Sequence, residues 1–372
     1  MDQDESISLK PRRPTLIFFI FGLASLITYS FVYSVLPEFQ VVLGLNFGSF
    51  ATAGYGIAAT IGQLFGVLIG RRLNGSLTVI ACLIVLCLLS LFFGLLLYIQ
   101  VLVDMRLAVA AMVILGFASS ILQFFVSGWA SSVSSGAIIA FYIGQSVSGL
   151  VPFPILWSAA KVLKELRHSI IVMATICILL CIIAVTFSRL FVDESDKSLS
   201  KNKVQPRPIF HVLFAICRIA VSILVVTLIS FTVYPRELLR WSPESGSWFE
   251  SVSMYQSFLI YLAICFDVVG MFMTMYGINV SIDYVPVSAA LRILFIPLYW
   301  IAGCDFFTSD LLRILLVASM SLSGSVVFGS AVNGLPLDAD DMAGHIVSLC
   351  FNLGIGAGGL VGHCLGKLVG SF

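Results

Sequence analysis

The chain has 372 residues, of which 59% are apolar and only 10% charged, with a formal net charge of +1. A soluble domain of average composition carries roughly 25% charged residues, so this chain has too few charges to cover a water-facing surface. Together with a mean hydropathy of +1.07, that excludes a soluble globular protein and implies an all-α polytopic membrane protein.

The head of the chain, MDQDESISLKPRR, is a polar tail (1–14) that is acidic before it turns basic. It lacks a short apolar run ending in a small-residue cleavage site, so no removable signal peptide is expected. A helix crossing the hydrocarbon core needs about 20 mostly apolar residues. That rule predicts eleven spans, near 15–36, 47–70, 77–102, 107–130, 136–160, 168–188, 209–234, 252–277, 285–303, 310–332 and 342–369. Most connections are short. The exceptions are SRLFVDESDKSLSKNKVQPRP after the sixth span and YPRELLRWSPESGSW after the seventh. The first is the linker (189–208) expected between a six-span half (15–188) and a five-span half (209–372).

Loop charge suggests orientation. Lys10, Arg12, Arg13, Arg71, Arg72 and the basic residues of 189–207 outnumber Arg106, Lys161, Lys164, Arg167, Arg236, Arg240 and Lys367 on the opposite side. This favours a cytoplasmic N-terminus, against the pull of KVLKELRH at 161–168. The sequons at Asn74 and Asn279 then fall on the cytoplasmic side and are expected to be unused.

Polar residues inside the spans are few: Gln63, Gln123, Gln145, Arg218, Asp267, Arg292 and Arg313. Lipid offers no hydrogen bonds, so each needs a partner within the protein or in a cavity. Asp267, in FDVVGMFMTMYG, poses this most sharply, because an intramembrane carboxylate usually marks a polar path. The alternative is that such residues pair with each other or with carbonyls and only hold helices together. Arg292 and Arg313 lie near span ends and are expected to snorkel or pair structurally. Glycines recur at helical spacing in the second, fifth and last spans, which suits close helix packing.

No HExxH, GxSxG or P-loop is present, and the four histidines have no ligand spacing. The nine cysteines lie almost all in apolar runs and read as small buried hydrophobes. Neither an enzyme nor a metal site is expected, and no cofactor or nucleic-acid partner.

Four fragments in the right order carry a resemblance. LQFFVSGWAS holds Gln123, Gly128 and Ala130; YIGQSVSGLVPFP holds Gly144, Gln145 and Gly149. LRILFIPLYW holds Arg292, Phe295 and Pro297, and MAGHIVSLCFNLGIGAGG is a Gly-rich last helix. With eleven spans, the chain resembles the equilibrative nucleoside transporter family (solute carrier family 29-like). The resemblance implies a major-facilitator-like 6+5 bundle that carries nucleosides or nucleobases, such as purines, down their gradient by alternating access. It implies Tyr29, Gln123 and Asp267 as substrate contacts, with Gln145 and Arg292 in support. It also implies a multi-pass protein of the plasma membrane, or of an internal membrane.

The chain departs from the family where substrate is read. Met271 stands where an arginine is usual, which leaves Asp267 without its customary cation. Thr28-Tyr29-Ser30 replaces Pro-Trp-Asn, and Ser323-Gly324-Ser325 replaces Asn-Gly-Tyr. Tyr29 still offers a stacking face and a hydroxyl. The departures keep two alternatives in play: a proton-coupled or same-fold carrier of another polar solute, and a non-transporting receptor or scaffold.

Overall fold

The structure, a computed structural model, describes residues 12–44, 46–99, 104–133, 135–163, 165–199, 209–234, 237–244, 247, 249, 251–303, 309–335 and 341–369. Most of the polar tail and residues 200–208 of the expected linker lie outside the described residues. Fourteen helices are described: α1 (Arg12–Ser34), α2 (Leu36–Leu43), α3 (Phe47–Ile69), α4 (Gly75–Ile99), α5 (Met105–Val133), α6 (Ser135–Leu150), α7 (Pro152–Leu163), α8 (Leu166–Leu199), α9 (Ile209–Val233), α10 (Val252–Met275), α11 (Val285–Leu291), α12 (Phe295–Ala302), α13 (Asp310–Asn333) and α14 (Asp341–Val369). Eleven stretches among the described residues are long and apolar enough to cross a membrane, and each falls on a span predicted from hydropathy. The chain is a multi-pass integral membrane protein.

The departures from one helix per span have local causes. The fifth span breaks at Val151 because Pro152 lacks an N–H and disfavours helical geometry in the residue before it. The ninth span, Val285–Ala302, tightens to a single 3₁₀ turn at Arg292–Leu294. Pro297 sits four residues after Ile293, and its ring crowds that carbonyl. The turn therefore lies where the sequence places its buried arginine. After the first span, α2 ends at Gly44, whose φ of 96° favours a glycine. The expected linker is not wholly irregular, since α8 continues to Leu199.

Within the first half, α1 packs on α6 and α8, α3 on α5, and α4 on α8. In the second half α9 packs on α14 and α10 on α13. The halves meet along α3–α14 and α6–α10, the major-facilitator-like 6+5 arrangement. Lipid supplies no hydrophobic drive between helices, so close backbone approach matters more. At the α3–α14 seam a Cβ on Gly56 would overlap the backbone of Gly356. Large apolar side chains such as Leu68, Leu88, Phe214 and Leu311 remain exposed, as a lipid-facing surface requires.

Candidate functional site at the interface of the two halves

A cavity of about 220 Å³ lies between the halves, lined from α1, α6, α9, α10, α13 and α14 and by Tyr234 just past α9. One water needs only roughly 10–15 Å³ of such space, so this is room for a small solute. Its walls follow helical periodicity. Ala263, Asp267 and Met271 recur every four residues on one face of α10, as Tyr29 and Tyr33 do on α1.

Asp267 is half-buried and faces the cavity. Among the described residues, none hydrogen-bonds its carboxylate. Arg292 is 3% exposed and lies behind the wall. Its Nη2 donates to Ser230 Oγ (3.0 Å) on α9 and to the Met320 carbonyl (2.9 Å) on α13. Ser230 Oγ in turn donates to the Val226 carbonyl (2.9 Å). Room for the guanidinium exists because residue 324 is glycine, since a Cβ there would overlap Arg292 Nη1. Arg292 Nε and Nη1 are buried with no hydrogen-bond partner among the described residues. Arg292 thus lies against Gly324, which lines the cavity together with Asp267. A cation therefore does stand behind the wall that holds Asp267. It comes from the ninth span, not from the next turn of α10, where Met271 lines the cavity instead.

Gln145 is 9% exposed and lines the cavity, with Nε2 donating to Ser25 Oγ on α1 (3.2 Å). Close by, the Tyr142 hydroxyl and Ser348 Oγ share a hydrogen bond of 3.1 Å between α6 and α14. Tyr29 lines the cavity from the neighbouring α1, its ring 4.1 Å from Tyr55 and 4.5 Å from Tyr33. Tyr33 stacks on Tyr234 at 5.9 Å.

The structure thus brings Tyr29, Asp267 and Gln145 to one cavity, with Arg292 just behind. Gln123 is not among them. It is buried on α5 at 3% exposure, and among the described residues α5 contributes none to the lining, since it packs on α3 and α4 and borders α14. Ser230 and Tyr234 also line the cavity without having stood out in the sequence, and Gly324, noted there within Ser323-Gly324-Ser325, lines it too. Tyr234 carried a weak signal as an aromatic residue at a span end, the position of an ordinary interfacial anchor. Arg313 makes the structural pairing expected of it, donating to the Ala302 carbonyl (3.0 Å) and the Ser242 carbonyl (2.6 Å). Among the described residues no three His, Cys, Asp or Glu side chains converge as metal ligands.

No protein family and no curated protein matches the chain. Its fold is nevertheless shared with solved membrane transporters. The nucleoside transporter NupG aligns at 14% identity with a TM-score of 0.58, covering 94% of this chain and 90% of that one. A variant of NupG gives the same TM-score at 15% identity. A bacterial homologue of the human lysosomal transporter Spinster, solved inward-facing and unoccupied, aligns at 14% identity and a TM-score of 0.58. It covers 98% of this chain and 84% of that one. At these identities the likeness establishes the fold, that of a major-facilitator-like helical membrane protein.

Proposed function

We propose that this protein is a facilitative transporter, not an enzyme, and that it carries nucleosides or nucleobases by alternating access to the central cavity. The observation that carries the reading is Asp267, an intramembrane carboxylate with no protein hydrogen bond among the described residues, facing a solute-sized space between two helical halves. The fold shared with NupG and the four fragments resembling the equilibrative nucleoside transporter family support the substrate class.

In this reading Tyr29 stacks on a planar base, Asp267 accepts hydrogen bonds from the solute, and the Gln145 amide borders the same space. Arg292 is a positioning residue that sets the potential around Asp267 from behind α13. Gln123 supports packing of α5 and makes no solute contact. Residues 15–188 and 209–372 are the bodies that rock, joined by 189–208, and the Lys/Arg bias places the N-terminus in the cytoplasm of a plasma-membrane protein. Packing of α3 on α14 and of α6 on α10 supplies the surfaces about which such rocking occurs.

Uptake of labelled uridine, adenosine and hypoxanthine into proteoliposomes, with and without a pH gradient, tests the proposal. Saturable flux that ignores the gradient and falls at least about tenfold in Asp267→Ala supports it, since hydrogen bonds to a charged group are each worth about 1.5–3 kcal/mol. Gradient-driven flux replaces it with proton coupling. Absence of flux for all three solutes leaves a scaffold or a carrier of something else.

A further inference from the structure

Four tyrosines line the cavity: Tyr29, Tyr33, Tyr142 and Tyr234. Two have hydroxyls satisfied within the protein. The Tyr33 hydroxyl bonds Thr52 Oγ1 (2.5 Å), which itself donates to the Gly48 carbonyl, and the Tyr142 hydroxyl bonds Ser348. The hydroxyls of Tyr29 and Tyr234 are both buried and, among the described residues, without a hydrogen-bond partner. The Tyr29 ring is flanked by Tyr33 and Tyr55, whereas Tyr234 closes the cavity at the end of α9 and shares its lining with Asp267.

The ring of Tyr234 is held firmly. It stacks on Tyr33 with an interplanar angle of 21° and meets the Phe231 ring edge-on at 6.3 Å. Its backbone N–H closes the last turn of α9 on the Ser230 carbonyl (2.8 Å). The direction of the hydroxyl is thus set by packing and not by a bond of its own. A buried hydroxyl left unpaired costs stability, and such an exception calls for an explanation. A group that arrives with the solute supplies one.

We propose that Tyr234 is a specificity-determining residue whose hydroxyl bonds a hydroxyl group of the transported solute, beside Asp267. The assignment rests on the transporter reading above and deepens it. An ionised carboxylate can only accept hydrogen bonds, whereas a phenol readily donates one. A solute hydroxyl between them donates to Asp267 and accepts from Tyr234, satisfying both together. A carbonyl or ether oxygen satisfies Tyr234 alone, and an ammonium satisfies Asp267 alone. The pair therefore selects solutes that carry a hydroxyl at this end, and a deoxy analogue leaves both groups unpaired.

Two measurements on Tyr234→Phe test this. The first is kinetic, using uridine and its 2′-, 3′- and 5′-deoxy analogues in proteoliposomes. The uridine KM is expected to rise about three- to tenfold, the equivalent of one neutral hydrogen bond, with maximal rate retained. One of the three deoxy analogues is expected to show the same KM in parent and variant. An equal loss for all four solutes, or no change for uridine, overturns the assignment. The second needs no solute, namely thermal unfolding of the empty protein in detergent. A hydroxyl with no partner leaves the midpoint unchanged or raised on removal, whereas a fall of about 2–4 °C shows a structural bond and overturns the assignment. If the parent carries no nucleoside at all, the substrate reading fails separately, and the unfolding measurement alone then decides for or against Tyr234.

Discussion

Asp267 on α10 faces the cavity while Arg292 on the 3₁₀ turn of the ninth span lies behind Gly324 of the same wall, with no ion pair between the two among the described residues. The guanidinium is instead tied to Ser230 and to the Met320 carbonyl, and two of its nitrogens have no partner among the described residues. The acid is thereby left facing the cavity while its charge is partly offset from behind. A direct pair would occupy the carboxylate and withdraw it from a solute.

Replacing Arg292 separates its two roles. Arg292→Gln loses hydrogen bonds from a charged donor worth about 1.5–3 kcal/mol each and removes the cation behind the Gly324 side of the cavity wall. A lower unfolding midpoint together with reduced uptake is expected. Arg292→Lys keeps the charge and is expected to retain more uptake than Arg292→Gln, although a lysine cannot reproduce the planar fork. Equal uptake in the two variants would mean that the charge at this position has no effect on the cavity.

Gly324 should prove intolerant for a reason that can be isolated. A methyl group there overlaps the guanidinium of Arg292, and overpacking of this kind costs about 1–3 kcal/mol. Gly324→Ala is therefore expected to destabilise the parent protein but to cost much less in the Arg292→Gln background. Unfolding midpoints of the two single variants and the double variant measure this coupling, and strict additivity would contradict it.

The two glutamines give opposite expectations. Gln145→Ala alters the cavity wall and breaks the bond to Ser25, so the KM for uptake is expected to rise. Gln123→Ala acts away from the cavity and is expected to lower stability while leaving KM unchanged. A KM effect confined to Gln123 would return that residue to the solute site.

How much of this was legible in the sequence follows from what each signal measures. The spans were readable because about 20 apolar residues in a row have few other uses. Asp267 was readable because a charge at membrane depth is costly and so points to a cavity. The place of Gln123 was not, because an amide inside a helix does not reveal which neighbour covers it. The placing of Arg292 behind the cavity wall that holds Asp267 depends on the 3₁₀ turn at Arg292–Leu294 and a glycine on a third helix, a tertiary coincidence that no spacing encodes. Tyr234 looked like any aromatic residue at a membrane interface.

Glu38 provides a pH test outside the spans. It lies on α2, half-buried, where desolvation pushes its pKa up from the usual glutamate range and a hydrogen bond with Ser253 on α10 pulls the other way. For an acid raised in the folded state, the stability present at low pH is lost as pH rises through the folded-state value. Glu38→Gln stays neutral throughout, so it is expected to be the more stable protein at neutral pH. Its advantage should close as pH falls below about 4.3, the ordinary glutamate value. Unfolding midpoints measured between about pH 4 and pH 8 check this, and a difference independent of pH would refute it.

The account stands or falls on a single cavity reached from both faces. Ser146 on α6 lines it. With the native cysteines replaced, Ser146→Cys can be challenged with a membrane-impermeant thiol reagent from each side of sealed vesicles in turn. Labelling from both sides, slowed from either by uridine, is the predicted result. Labelling from one side only, or labelling from both sides that uridine leaves unchanged, would contradict it.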